Sequence, residues 1–347
     1  MLNNSMTEVY IKFNRKSDIL KTIDELSQKE ALLDEVLKEI EIQKRGEVTP
    51  RDTLRRSKIG SYFISVTQQI GNYIYKHDIR ISNTYKERLK NFSYKADKIL
   101  RENIVLQSKP PLDVIKFKAV PVRHSYSTFG GREQRWGYGL HMKPFNEQGH
   151  SITLANMPPH YTQSIHNHTL SEYCLILDSK TEGIYYPGGK REKIYSTRKH
   201  ELLHFSATTP HTLRNPSNKY SRNITFKQSQ GLVDWRPISS LNVVKIIRAR
   251  LIRGSISKIN NDQTIKKFPI HDKYYNYALE IIKLGKDTTY STKHSNDQFI
   301  FVINGKFVIS HKNIKKECRK NDFIVIDRDT EYKIETSTTC RLYSVRT

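Results

Sequence analysis

His166-Asn-His168-Thr-Leu-Ser-Glu172 and Pro210-His211-Thr-Leu-Arg-Asn215 decide the reading of this 347-residue chain. Residues two apart on a strand share a face, so His166 and His168 present their imidazoles to the same side. Glu172 follows four residues after the second histidine, and His211 comes 39 positions after Glu172, on a later strand. Three imidazoles and a carboxylate suit Fe, Mn, Ni, Cu or Zn and leave positions open for water or a substrate. The candidate metal ligands are therefore His166, His168, Glu172 and His211.

The surrounding sequence is a series of short strands: 136–142, 151–155, 172–177, 183–186, 202–205 and 223–226. Turn residues separate them at regular intervals, which argues for a sandwich or barrel. A second run of strands covers 277–282, 299–303, 306–309, 323–326 and 342–345, and between the two runs lies a mixed connector, 237–272, expected to begin as helix and end as strand.

On these motifs the chain resembles the cupin superfamily of small β-barrels. The metal-binding centre of the first cupin motif, G-x5-H-x-H-x3-4-E-x6-G, is matched by His166, His168 and Glu172. The second motif, G-x5-P-x-G-x2-H-x3-N, is matched by His211 and Asn215. His200 stands where that motif carries its first glycine, and the turn after Glu172 runs long, reaching Gly183. The second run of strands resembles another cupin barrel without a metal site. Thr292 takes the first histidine position, His294 the second, Gln298 the glutamate position with Gly305 behind it, and Tyr332 falls near the third histidine. The resemblance implies a mainly β protein of two cupin-type barrels (double-stranded β-helix or jelly roll) with an α-helical N-terminal extension. The expected organisation is a helical region 1–110, a metal-binding barrel 111–236, a connector 237–272 and a degenerate second barrel 273–347.

The helical extension rests on periodicity. Ile19, Ile23, Leu26, Leu33, Leu37 and Ile40 recur at helical spacing, interrupted at Glu30. Thr49-Pro50-Arg51-Asp52 reads as a helix start, with Thr49 as cap, Pro50 in the first turn and Asp52 favoured by the helix dipole. Ile59, Phe63, Val66, Ile70 and Tyr73 continue that second helix. Tyr85, Leu89, Phe92, Ala96, Leu100 and Ile104 form a third, with Lys86, Arg88, Lys90, Lys95, Lys98 and Arg101 largely on its other faces. These three helices suit packing or dimerisation better than DNA binding, and Ser108-Lys-Pro-Pro-Leu112 ends them.

The net charge of +24 is spread along the chain rather than gathered in a tract, so nucleic acid is a partner the composition permits but does not favour. No run of about 18 apolar residues suggests a membrane helix, and no apolar segment at the start suggests a secretory signal. Cys174, Cys318 and Cys340 lack metal or redox spacing, so a reduced, cytoplasmic protein is expected. Cys174 shares a face with Glu172 by strand parity, so it could approach the metal, and it reads first as a small core residue.

The resemblance implies a metal-dependent enzyme, foremost a non-haem Fe(II) oxygenase acting on a small polar or anionic organic molecule, with Mn, Ni or Zn as alternative metals. His168, Glu172 and His211 would then make a two-histidine, one-carboxylate face, with His166 as fourth ligand or proton donor. A redox-neutral isomerase, decarboxylase or lyase would use the same ion. A ligand-sensing or nucleic-acid-binding regulator would use the barrels without chemistry. The candidate substrate contacts are Tyr138, Tyr161, Gln163, Arg214 and Asn215, the last also suited to a turn. No catalytic residue beyond the ligands is singled out, and dimerisation through barrel faces is a further implication of the resemblance.

Overall fold

The computed structural model describes residues 11–117, 122–125, 136–142, 150–163, 165–168, 171–178, 180–186, 192–207, 209–228, 233–234, 249–270 and 278–346. The chain divides into two compact units. One comprises Met1–Gln43, Thr49–Ile104 and Pro121–Leu251, the other Lys44–Val48, Val105–Val120 and Ile252–Thr347.

The described N-terminal residues form four helices, one more than periodicity suggested: α1 (Lys16–Gln28), α2 (Glu30–Ile42), α3 (Pro50–Lys76) and α4 (Asn83–Gln107). The Asp18 carboxylate accepts the backbone N–H groups of Asn14 and Arg15 at the start of α1, at 3.0 and 3.2 Å. The Asn14 bond leads in holding that carboxyl below its ordinary range. The expected first helix breaks at Lys29, whose ammonium lies 3.0 Å from the Tyr62 hydroxyl. The break resets the helical phase, so α2 buries Leu33, Val36 and Ile40 rather than Leu37. At the start of α3 the Thr49 hydroxyl accepts the Asp52 backbone N–H at 3.2 Å, the cap read from sequence. Helices α3 and α4 pack closely at Gly60, where a Cβ would stand 3.0 Å from the Leu100 side chain and 3.1 Å from the Ala96 carbonyl. No described helix is long and apolar enough to cross a membrane.

Much of the basic row on α4 is engaged within the protein. Arg88 pairs with Asp24 at 2.9 Å, Lys95 with Glu30 and Asp34 at 2.6 Å each, and Lys98 with Glu41 at 3.1 Å. Burial works against the Lys95 ammonium, but the two carboxylates outweigh it and raise its pKa.

The first unit's large sheet has the order Ala249–Ile252, Leu202–Phe205, Glu172–Ile176, Ser221–Gln228, His150–Met157, Trp136–Met142 and Val122–Ser125. A three-stranded sheet, His211–Arg214, Glu182–Tyr185 and Lys193–Ser196, accompanies it. Inward side chains such as Tyr161, Cys174, Ile176, Leu203, Phe205 and Leu213 make its apolar core.

The second unit repeats this plan. Its large sheet runs Leu112–Ile115, Phe323–Ile326, Gln298–Asn304, Cys340–Arg346, Ala278–Leu284, Gln263–Phe268 and Ser255–Asn260, beside a four-stranded sheet of Thr289–Thr292, Tyr332–Thr336, Lys306–His311 and Ile314–Arg319. Gly305 turns the chain between two of these strands with φ +100°, and a Cβ there would stand 2.5 Å from the Cys340 sulfur. Only glycine fits both the dihedral and the space.

Two of the expected boundaries need correction. Leu112–Ile115 follows the helices directly and falls within the expected first barrel, yet it pairs antiparallel with Phe323–Ile326 in the second. The reason is chemical. Leu112 and Val114 enter the second unit's apolar core, and Asp113 pairs with Lys316 there. The connector is also not a linker. Ala249–Ile252 edges the first sheet, and Ser255–Asn260 with Gln263–Phe268 forms a hairpin in the second. The helix expected at its start falls on 237–248, outside the described residues.

Leu112→Ala should therefore destabilise the second unit by about 2–4 kcal/mol, the usual cost of truncating a fully buried leucine. Native-state hydrogen exchange should show lost amide protection in Phe323–Ile326 and unchanged protection in Leu202–Phe205. The opposite pattern would return this strand to the first barrel.

Candidate metal centre

His166 and His211 are joined through their backbones. Each donates its N–H to the other's carbonyl, at 3.0 Å from His166 and 2.8 Å from His211. A pair exchanging both bonds sets its side chains side by side, and the two rings stand 4.6 Å apart. Glu172 reaches the same point from the start of Glu172–Ile176, with its Oε1 3.8 Å from His211 Nε2. One ligand atom from each of His166, Glu172 and His211 lies within 4.8 Å of the others, and all three residues are buried. Donors around one ion at about 2.1 Å sit about 3–4 Å apart, so small side-chain adjustments close the set on a cation.

The tautomer of His211 follows from its neighbours. Nδ1 lies 2.7 Å from the Thr209 carbonyl oxygen, which can only accept, so Nδ1 carries the proton. In the neutral ring, Nε2 then holds its lone pair toward Glu172, the arrangement a metal-binding histidine requires. Phe205 stacks on the ring at 4.1 Å and 11°, fixing its plane. Nothing in the cupin motifs singles out Thr209 or Phe205. Phe205 becomes legible only through register, being opposite Glu172 in the sheet.

The other expected residues divide. The backbone of His168 pairs with Val233, and its side chain lies outside the described residues, as does that of Tyr138. Thus the described triad contains His166, the residue expected to be supplementary. Tyr161 is buried in the core around the site. The backbone N–H of Gln163 donates to the Leu213 carbonyl at 2.9 Å. Arg214, expected at the substrate, is instead held by Glu182, with Nε to Oε2 at 2.7 Å. Strand alternation explains this, because His211 and Leu213 point inward and Arg214 points away. Asn215 is a turn residue. Its amide donates to the carbonyls of Met157, Pro158 and Lys219 at 3.1, 2.8 and 2.7 Å, and its oxygen accepts from Ser217. Tyr185, also unmarked by the motifs, stands opposite His211 and stacks with Tyr195 at 5.6 Å.

No family model matches the chain, and no curated protein matches it in sequence. Solved structures do match. The Momordica charantia 7S globulin aligns over 67% of this chain and 83% of its own, at 10% identity and a TM-score of 0.50. The protein has a bicupin fold. Oxalate decarboxylase aligns over 67% of this chain and 76% of its own, at 10% identity and a TM-score of 0.48. Salicylate 1,2-dioxygenase from Pseudaminobacter salicylatoxidans aligns over 57% and 70%, at 11% identity and a TM-score of 0.42.

The second barrel fills the equivalent position differently. Gln298–Asn304 occupies the same place in its sheet as Glu172–Ile176 does in the first. The Gln298 amide donates to Ser344 at 2.8 Å and its oxygen accepts the Tyr332 hydroxyl at 2.8 Å. Arg346 pairs with Glu280 at 2.6 Å and donates to His294 Nδ1 at 2.9 Å. His294 Nε2 lies 3.2 Å from the Thr292 hydroxyl. An imidazole that accepts from a guanidinium is neutral, and burial, reinforced by Arg346, pushes the His294 pKa down to about 4.

This has a sign that can be checked. The unfolded chain binds a proton at His294 near 6.5 and the folded chain only near 4. The stability tied to the neutral ring is therefore complete above pH 6.5 and is lost as pH falls toward 4. Thermal unfolding from pH 7 to 4 should show wild type losing more stability across this window than His294→Gln. Parallel curves for the two proteins would count against the neutral-ring assignment.

Proposed function

We propose that this protein is a metal-dependent cupin enzyme, a non-haem Fe(II) oxygenase acting on a small polar or anionic organic molecule. The observation that carries the reading is the buried His166–Glu172–His211 group with the His211 Nε2 lone pair turned into it. A mixed imidazole and carboxylate set with open positions suits Fe(II), and Mn, Ni or Zn accept the same donors. When bound, such an ion supplies Lewis acidity and lowers the pKa of a bound water.

The chain's own residues supply the rest. Thr209 and Phe205 hold the His211 ring in one tautomer and one plane. Glu172 brings a negative charge that offsets part of the cation's. An apolar, partly aromatic cluster that includes Phe205 and Tyr185, the latter opposite His211, packs beside the site, which favours an organic body over a bare ion as substrate. Arg214, expected at the substrate, is committed to Glu182. A DNA-reading role draws no support from α4, where Arg88, Lys95 and Lys98 face acids of α1 and α2.

Anaerobic purification followed by elemental analysis should find about one transition metal per chain, and His211→Ala should lower that content at least tenfold. Oxygen uptake should then respond to one member of a panel of organic acids, thiols and phosphonates. Full zinc occupancy with no oxygen uptake would overturn the oxygenase assignment and leave a redox-neutral isomerase, decarboxylase or lyase. Equal metal in wild type and His211→Ala would remove the metal centre itself.

A further inference from the structure

We infer that Cys174 is a positioning residue for the Glu172 carboxylate and that its thiol proton helps set the affinity of the metal centre. The inference rests on the metal-dependent reading above and assigns a buried thiol that reading does not use. Cys174 follows Glu172 by two residues on the strand Glu172–Ile176, so both side chains face the barrel interior. Its sulfur is fully buried and lies 3.2 Å from Glu172 Oε1. That is the same oxygen that stands 3.8 Å from His211 Nε2. The thiol therefore contacts the oxygen turned toward the metal position.

The direction of the hydrogen bond follows from proton counting. Cys174 has one proton, and Glu172 Oε1 at 3.2 Å and Thr225 Oγ1 at 3.5 Å both lie within its reach. The carboxylate is nearer and charged, and hydrogen bonds to charged acceptors are the stronger ones. Thr225 stands directly opposite Cys174 in the sheet register. Its own proton goes to Asn223 Oδ1 at 3.2 Å, so the hydroxyl does not compete as a donor toward the carboxylate. Asn223 is also fully buried. The strand Ser221–Gln228 thus carries a polar rung behind Cys174 inside an otherwise apolar wall.

A carboxylate on a flexible side chain can rotate about its last bond and present either oxygen. The thiol restricts that rotation by donating to Oε1, the oxygen turned toward His211. Groups that orient metal ligands in this way typically change metal affinity by about 10–100-fold when removed. An inert packing role for Cys174 predicts something different. Alanine would then cost thermal stability without changing metal affinity, and serine, being more polar in an apolar wall, would do no better than alanine.

The test is a Co(II) titration of the full chain, with affinity read by competition against a chromophoric chelator and geometry read from the visible absorption of the bound ion. We expect Cys174→Ala to weaken Co(II) binding about tenfold and to alter the absorption bands. Cys174→Ser, which keeps a donor at this position, should recover most of the affinity. Thermal melts of the metal-free variants identify any that fail to fold. Should Cys174→Ser not fold, Cys174→Val decides. It fills the space of the thiol without a donor, so it should bind Co(II) about as weakly as Cys174→Ala, and wild-type affinity would overturn the inference. Wild-type affinity in Cys174→Ala, or no better affinity in a folded Cys174→Ser than in Cys174→Ala, overturns the inference while leaving the metal centre in place. Absence of Co(II) binding in wild type removes the metal centre and this inference with it, so the two failures are distinguishable.

Discussion

Two backbone hydrogen bonds between His166 and His211 carry the candidate centre. They lie outside the regular strands, as a single bridge, and they bring together segments 45 residues apart in the chain. Without them the two imidazoles would have no shared geometry, and Glu172 would face one histidine instead of two. The surrounding contacts serve that bridge. Asn215, four residues beyond His211, fastens the turn after the strand His211–Arg214 to three carbonyls. Thr209, two residues before His211, fixes the ring itself.

The two barrels show what happens to one interior position under two sets of residues. In the first, a carboxylate and two imidazoles converge and their charge and lone pairs remain directed at a common point. In the second, an amide, a phenol and a serine hydroxyl bond to one another, and the guanidinium of Arg346 is matched by Glu280. Neutral groups that bond to one another need no ion to satisfy them, and mutual bonding offsets much of their desolvation cost. The second interior thus bonds its Gln298, Tyr332 and Ser344 side chains to one another where the first presents converging ligand atoms.

Much of the fold was legible because it depended on local pattern. Alternation marked the strands, Gly305 marked a turn that only glycine can make, and Thr49 with Pro50 marked the start of α3. The spacing of His166, Glu172 and His211 marked the site. What escaped was set by distant partners. Leu37 and Val36 are both apolar, and only the break at Lys29 decides which one is buried. Arg214 lies three residues from a candidate ligand, yet strand alternation sends it to Glu182. Cys174 reads from sequence as a filler, and its hydrogen bond appears only when Thr225 and Glu172 are placed around it.

The least legible feature was Leu112–Ile115, whose neighbours in the sheet come roughly 200 residues later. That separation matters during synthesis. At ordinary elongation speeds of about 5–20 residues per second, this apolar segment leaves the ribosome roughly 10–40 s before Phe323–Ile326 exists to receive it. For that interval the nascent chain exposes an unmatched sheet edge while the helices and the first barrel are already able to form. The second barrel must therefore close around a strand that has been waiting, and the newborn polypeptide is most vulnerable to chaperone capture or self-association while it waits.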